Sequence, residues 1–143
     1  MKKIMPFFIT FFLCFSLLTT SLYAELRPLT NKETLSALQD KTFLAHSINK
    51  EQYDYRIYYA KNGEFTLYYS TYPGTAVIVS GKWSVDDKGK YCTYRKIDKH
   101  KFVDCGRIYQ EGANTLYQYN TEGKLEVTFK FIGNGNQLKD GQE

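Results

Sequence analysis

Histidine, cysteine, tryptophan and proline are all scarce in this chain. Its 143 residues include two His, three Cys, one Trp and three Pro. A tetrahedral zinc site needs four ligands, and His46 and His100 would have to serve beside Cys92 and Cys105. No Cys-x-x-Cys is present, so a thioredoxin-like redox pair is excluded. There is no Gly-x-Ser-x-Gly, no His-Glu-x-x-His and no phosphate-cradling glycine loop opening a helix. No cofactor or metal is expected, and a catalytic role is not expected either. Strong charge is missing too. Without Lys2 and Lys3, the 19 basic residues fall to 17 against 15 acidic. That balance is too weak to argue for nucleic acid or an anionic membrane surface. No low-complexity tract or linker divides the chain, which predicts one domain.

The sequence opens on a segment that reads as an export signal. Lys2 and Lys3 precede an uncharged, mostly apolar run from Ile4 to Leu18, and Thr19 to Ala24 has the small and polar character of a cleavage region. The pattern predicts a secretory signal peptide over residues 1–24. The apolar run of about 15 residues is short of the roughly 20 that a spanning helix needs. Cys14 lies in that run behind Phe12 and Leu13, not behind the small residues of a lipoprotein signal. The protein is therefore expected to be periplasmic or extracellular, with no membrane span after cleavage. In an oxidising compartment the remaining pair, Cys92 and Cys105, reads as a structural disulfide.

Aromatics are abundant, with 13 Tyr and 10 Phe. Thr30 and Glu33 make a capping box, with Leu35 and Leu38 on one face, predicting a short helix that ends near Gln39 and Asp40. From Lys41 onward the period is two. Tyr53, Tyr55, Ile57 and Tyr59 alternate with polar residues, as do Phe65, Leu67 and Tyr69. A two-residue Asn62-Gly63 turn would put those apolar sets on opposite faces. A three-residue loop, Lys61 to Gly63, pairs Tyr59 with Phe65 and Ile57 with Leu67, so burial selects it.

Extending such turns predicts about eight antiparallel strands joined by short loops. A four-residue loop, Asp86 to Gly89, would set Trp83 opposite Cys92. A loop from Ile97 to His100 would set Cys92 opposite Cys105. A Gln110 to Gly112 loop would set Cys105 opposite Tyr117, and Thr121 to Gly123 would set Tyr117 opposite Val127. The resulting inner face holds Ile57, Leu67, Val79, Trp83, Cys92, Tyr94, Val103, Cys105, Tyr117, Val127 and Phe129. The expectation is an all-β meander over residues 25–133, closed as a small up-and-down, lipocalin-like barrel. A folded-over sandwich is the alternative, and closure is favoured because it leaves no unpaired edge. Residues 134–143 read as a flexible tail.

The pattern Lys41-Thr42-Phe43, Gly63-Glu64-Phe65, Gly81-Lys82-Trp83, Cys92 and Cys105 resembles a family of small exported bacterial proteins of unknown function. That resemblance implies an exported β domain and carries no activity with it. By architecture the chain is also similar to lipocalin-like barrels and to β-barrel inhibitors of lysozyme. The expected function is binding: a small ligand inside the barrel, or alternatively an extracytoplasmic protein such as a hydrolase to be inhibited. Tyr58, Tyr68, Trp83, Tyr94 and Tyr117 are the candidate contact residues, because an aromatic body with a polar handle suits such surfaces. Arg95, Lys96, His100 and Arg107 suggest a basic patch, with solvated turn charges as the simpler account. His46 is expected to be a surface histidine.

Overall fold

Period-two alternation from Lys41 onward demands a sheet with one buried face, and a sheet of eight strands buries that face by closing on itself. A computed structural model describes residues 26–48, 52–71 and 74–138. The expected signal peptide lies outside the described residues. The elements are a helix α1 (Asn31–Leu38) and strands β1 (Lys41–Ser47), β2 (Asp54–Tyr59), β3 (Glu64–Thr71), β4 (Thr75–Val85), β5 (Lys90–Ile97), β6 (His100–Glu111), β7 (Thr115–Asn120) and β8 (Leu125–Asn134). Each strand pairs antiparallel with the next, and β8 returns to β1, so the barrel is closed. The sandwich alternative is thereby excluded.

The helix forms as its capping box requires. Thr30 accepts a hydrogen bond from the Glu33 backbone N–H, and Glu33 accepts one from the Thr30 N–H at 2.8 Å. Arg27 then grips both carboxylate oxygens of Glu33 at 2.9 and 2.6 Å. Asp40, in a left-handed conformation, turns the chain from α1 into β1. The helix lies across the barrel end where β4 meets β5. Asn31 Nδ2 donates to the carbonyls of Val85 and Asp86 there. Leu29 and Leu38 join the same core cluster as Phe43, Tyr59, Phe65, Trp83, Tyr91 and Phe129. One end of the barrel is thus plugged by its own N-terminal segment.

The β2–β3 register is the one burial selects, with Tyr59 opposite Phe65 and Ile57 opposite Leu67. Its three-residue loop ends in Gly63 at φ 84°. Two further hairpins use the same device. Ala60, Asp86 and Asn120 each donate a backbone N–H to the residue four positions on, around loops ending in Gly63, Gly89 and Gly123. In the latter two the side chains of Asp86 and Asn120 also accept backbone N–H groups inside the loop.

Here the sequence-based register needs correction. The loop after β4 is three residues, Asp87 to Gly89, so Val85 pairs with Tyr91 and Trp83 with Thr93, not with Cys92. That one-residue shift turns over β5 and every strand registered to it. Cys92 does face Cys105, as expected. The loop after β6 is also displaced: Glu111 pairs with Thr115 and Tyr109 with Tyr117, so Cys105 is not opposite Tyr117. Cys92, Tyr94, Val103, Cys105 and Tyr117 therefore point outward, while Tyr91, Thr93, Gly106, Ile108, Leu116 and Gln118 point inward. A bulge between Gln118 and Tyr119 then restores the expected parity, and Phe129 is buried in β8 as expected.

The cysteines form a disulfide across directly opposed positions of β5 and β6. It faces the outer side of the wall and not the space beneath Trp83, because alternation along β5 places Cys92 between the inward-facing Tyr91 and Thr93, although Cys92 itself is buried. Residues 134–137, expected to belong to a flexible tail, are held in place, and residues 139–143 of that expected tail lie outside the described residues. Gly135 N–H donates to the Asp40 carbonyl at 2.7 Å, Thr42 Oγ1 donates to the Gly135 carbonyl at 2.6 Å, and the Gln137 N–H donates to Thr42 at 3.0 Å. Residues 134–137 are thus bound across the helix end of β1.

Candidate functional site: the barrel mouth

With α1 closing one end, the other end holds a cavity of about 170 Å³. Its walls have two characters. Tyr53, Tyr55 and Ile57 of β2 and its approach, with Leu67 of β3, line one side, and Val127 and Phe129 of β8 continue it. Tyr53 packs on Tyr55 and Tyr69 with ring centroids 5.5 and 6.0 Å apart. Thr93 and Arg95 of β5, Asp104 of β6 and Gln118 of β7 form the opposite, polar arc, while Ser47 of β1 lies on the first side, between β8 and β2 and opposite Val127. At the floor, the hydroxyls of Tyr59 and Tyr91 meet at 2.7 Å.

The polar lining is buried at three residues and more open at Arg95 and Asp104. Ser47, Thr93 and Gln118 are only 4, 8 and 5 % exposed. Among the described residues none of their side chains has a hydrogen-bond partner within the protein, and the Tyr55 hydroxyl has none either. Among the described residues the one enclosed side-chain polar atom without a partner is Thr34 Oγ1, so the polar atoms of these cavity residues remain open to the cavity. Arg95 lies 3.5 Å from Asp104 and 5.5 Å from the Phe102 ring centroid. Glu126 accepts a hydrogen bond from Asn120 at 3.0 Å.

Burial holds the tyrosine hydroxyls in the protonated state. Desolvation, followed by the neighbouring Tyr59 and Tyr53, pushes Tyr55 far above the ordinary tyrosine value. Desolvation is also the first cause at Tyr59 and Tyr91. The cavity therefore offers neutral O–H groups, a carboxamide, one guanidinium and the two carboxylates of Asp104 and Glu126. No histidine or cysteine is among the described residues that line it.

The five aromatic residues singled out from sequence do not converge. Trp83 is interior, 5.4 Å from Tyr59 and donating from Nε1 to the Ala60 carbonyl at 3.1 Å, but it lies on the helix side of the floor. Tyr58 faces outward and donates to Asp40 at 2.9 Å; burial, then that bond, raises its pKa. Tyr68 is outward, opposite Arg56 and Ile78. Tyr94 is outward and 42 % exposed beside Val103. Tyr117 is outward and donates to Glu111, a bond that heads the causes of its raised pKa. His46 is an exposed residue bonded to Asp54 at 2.6 Å, in keeping with a surface role. Arg95, read from sequence as part of an outer basic patch, points into the mouth.

Thr93, Asp104, Gln118 and Ser47 were missed because polar residues in strands read as solvent-facing. The signal that finds them is the Asp86 turn. Treating it like the Lys61 to Gly63 loop directs Thr93 and Arg95 inward.

Comparison of the chain with family models, with curated proteins and with solved structures returns no match. Among the described residues no helix is long and apolar enough to cross a membrane, and no group of three or more His, Cys, Asp or Glu could hold a metal ion.

Proposed function

We propose that this chain is an exported, non-catalytic carrier or receptor that holds one small molecule in the mouth of its barrel. One observation supports this reading above others: Ser47, Thr93 and Gln118, side chains otherwise buried, keep polar atoms open to one and the same cavity. A ligand that supplies their hydrogen bonds gains affinity that a smooth apolar pocket cannot give. The size is apt for a very small molecule, since a cavity of about 150 Å³ accommodates a benzene ring. The outer disulfide and the charged, then apolar, N-terminal sequence support export.

Native mass spectrometry of the protein purified from its exporting cell tests this directly. A retained small-molecule mass is expected, and it should be lost in Gln118→Leu, which leaves the fold intact but removes two hydrogen-bonding atoms. A bare mass together with no thermal shift against a metabolite panel would overturn it.

The alternative is a protein-binding module, and one observation favours it. Ile78 and Val103 are 64 and 57 % exposed on the outer face, with Tyr94 between Val103 and Lys82. Exposed apolar residues beside a lysine suit an acidic protein partner. Tyr94→Ser with Val103→Ser should then abolish co-purification of that partner while leaving cavity binding unchanged.

A further inference from the structure

The hairpin of β5 and β6 outruns the barrel wall beside the mouth. β5 pairs with β4 only as far as Arg95, and β6 pairs with β7 only from Gly106 onward. The end of the hairpin is therefore a two-stranded arm, with Lys96 and Ile97 paired only to Lys101 and His100. Arg95 and Asp104, at its base, line the cavity, so the arm stands at the entrance. We infer that this arm seats the protein on an anionic lipid bilayer, with the mouth toward the membrane, whatever the cavity holds.

A half-buried strand alternates, apolar toward the core and polar toward water. The arm does not. Ile97 and Phe102 share the face of Arg95 and are 43 and 40 % exposed, while Tyr94 and Val103 take the other face and are 42 and 57 % exposed. A protein docked on the wall would cover one face and leave the other wet. A fluid apolar phase that surrounds the tip covers both. From the Ile97–His100 pair to the Tyr94–Val103 pair the strand advances about 10 Å. That reach matches the roughly 5–10 Å by which interfacial segments enter the boundary of headgroups and acyl chains.

The arm also concentrates positive charge. Residues 95–101 hold Arg95, Lys96, Lys99 and Lys101 against the carboxylate of Asp98. Lys96 lies directly opposite Lys101, a like-charge pairing that destabilises a sheet. Among the described residues none of Lys96, Lys99 and Lys101 has an ion pair. The near balance of charge over the whole chain leaves this local excess intact, because exposed charges more than about 10 Å away are screened. Lysines beside exposed apolar side chains supply the two attractions, electrostatic and hydrophobic, that hold a peripheral protein on an anionic bilayer.

Vesicles of phosphatidylcholine alone, and of phosphatidylcholine mixed with phosphatidylglycerol, are incubated with the purified protein and sedimented. Binding is expected to the mixed vesicles only, and it should weaken as salt is raised. A spin-labelled lipid in those vesicles should broaden the methyl resonances of both Ile97 and Val103, which lie on opposite faces, and spare Leu38 at the helix end. Lys96→Gln with Lys99→Gln and Lys101→Gln should weaken binding by about tenfold or more. Ile97→Ser with Phe102→Ser should weaken it by about tenfold with the thermal midpoint unchanged, since both side chains are exposed. The proposal is overturned if the mixed vesicles are not bound, if both vesicle types bind equally, if Val103 broadens without Ile97, or if neither set of variants affects binding. Binding of soluble poly-glutamate without binding of vesicles would also overturn it, and would assign the arm to an acidic protein.

Discussion

The hydroxyls of Tyr59 and Tyr91 meet at 2.7 Å between strands β2 and β5, three strands apart in the barrel wall, and each is almost wholly buried. Either one alone would be a polar group stranded among Phe43, Phe65, Trp83 and Phe129. Tyr91→Phe or Tyr59→Phe should each cost about 1–2 kcal/mol, because the partner hydroxyl is left unsatisfied. The double variant should cost less than the sum of the two. A double-mutant cycle by urea denaturation checks this, and additive losses would mean that the pair is not coupled.

Thr34 is fully buried in α1, and its Oγ1 has no partner among the described residues. Thr34→Val keeps the shape and removes the hydroxyl, so it should stabilise the protein by about 1 kcal/mol. Val and Thr have similar helix propensities, which leaves the hydroxyl as the difference. Thr34→Ser should instead destabilise, since it keeps the polar atom and opens a methyl-sized gap. Thermal midpoints of the three proteins give the test.

Gly81 and Gly106 sit where neighbouring atoms leave no room for a side chain. A Cβ at Gly81 would fall on the Tyr94 carbonyl oxygen and on the Phe65 ring, and one at Gly106 on the Tyr119 carbonyl. Gly81→Ala and Gly106→Ala should each cost about 2 kcal/mol or more, by forcing backbone apart. Gly112→Ala meets open space and should cost less, its positive φ of 61° being the only strain. Equal midpoints for all three would contradict this account.

The Glu33 carboxyl is held at about 2, against an ordinary 4.5, first by its hydrogen bonds to Arg27 and then by those to Thr30. A carboxyl lowered in the folded state contributes its stability in full above 4.5 and loses it as pH falls toward 2. Wild type should therefore show a steeper loss of urea midpoint than Glu33→Gln between pH 4.5 and 2. The difference should shrink in high salt, because the site is exposed. Parallel pH profiles would show that the charge on Glu33 contributes nothing to stability.

The disulfide closes a loop with its cysteines 13 residues apart. In the chain-entropy account this stabilises by about 3 kcal/mol. Cys92→Ser with Cys105→Ser should lower stability by that amount. The wild-type protein unfolded without reductant should show no titratable thiol between these positions.

The barrel, the helix and the β2–β3 register were legible in the sequence because their physics is local. Thr30 and Glu33 satisfy each other within one turn. Ile57, Tyr59, Phe65 and Leu67 can share a buried face in only one register, since any one-residue slip exposes half of them. The cavity was not legible, for the opposite reason. In β5 and β7 the inner face carries Thr93, Arg95 and Gln118, while Tyr94 and Tyr117 face solvent. A rule that buries aromatics and exposes polar groups must invert such strands. The rule fails where a polar interior is kept for something other than core packing, which is where function is expected.

By itself, then, the sequence determined an all-β chain of short hairpins, a capped helix before it, and a cysteine pair set directly opposite across two strands. Each follows from neighbours along the chain or from one hairpin. Only the tertiary structure decided which residues face the cavity. That choice depends on one extra pairing at the Asp86 turn and one bulge at Gln118, whose effects run through three strands before β8 closes on β1. Closure is a condition on all eight registers at once, and no single turn contains it.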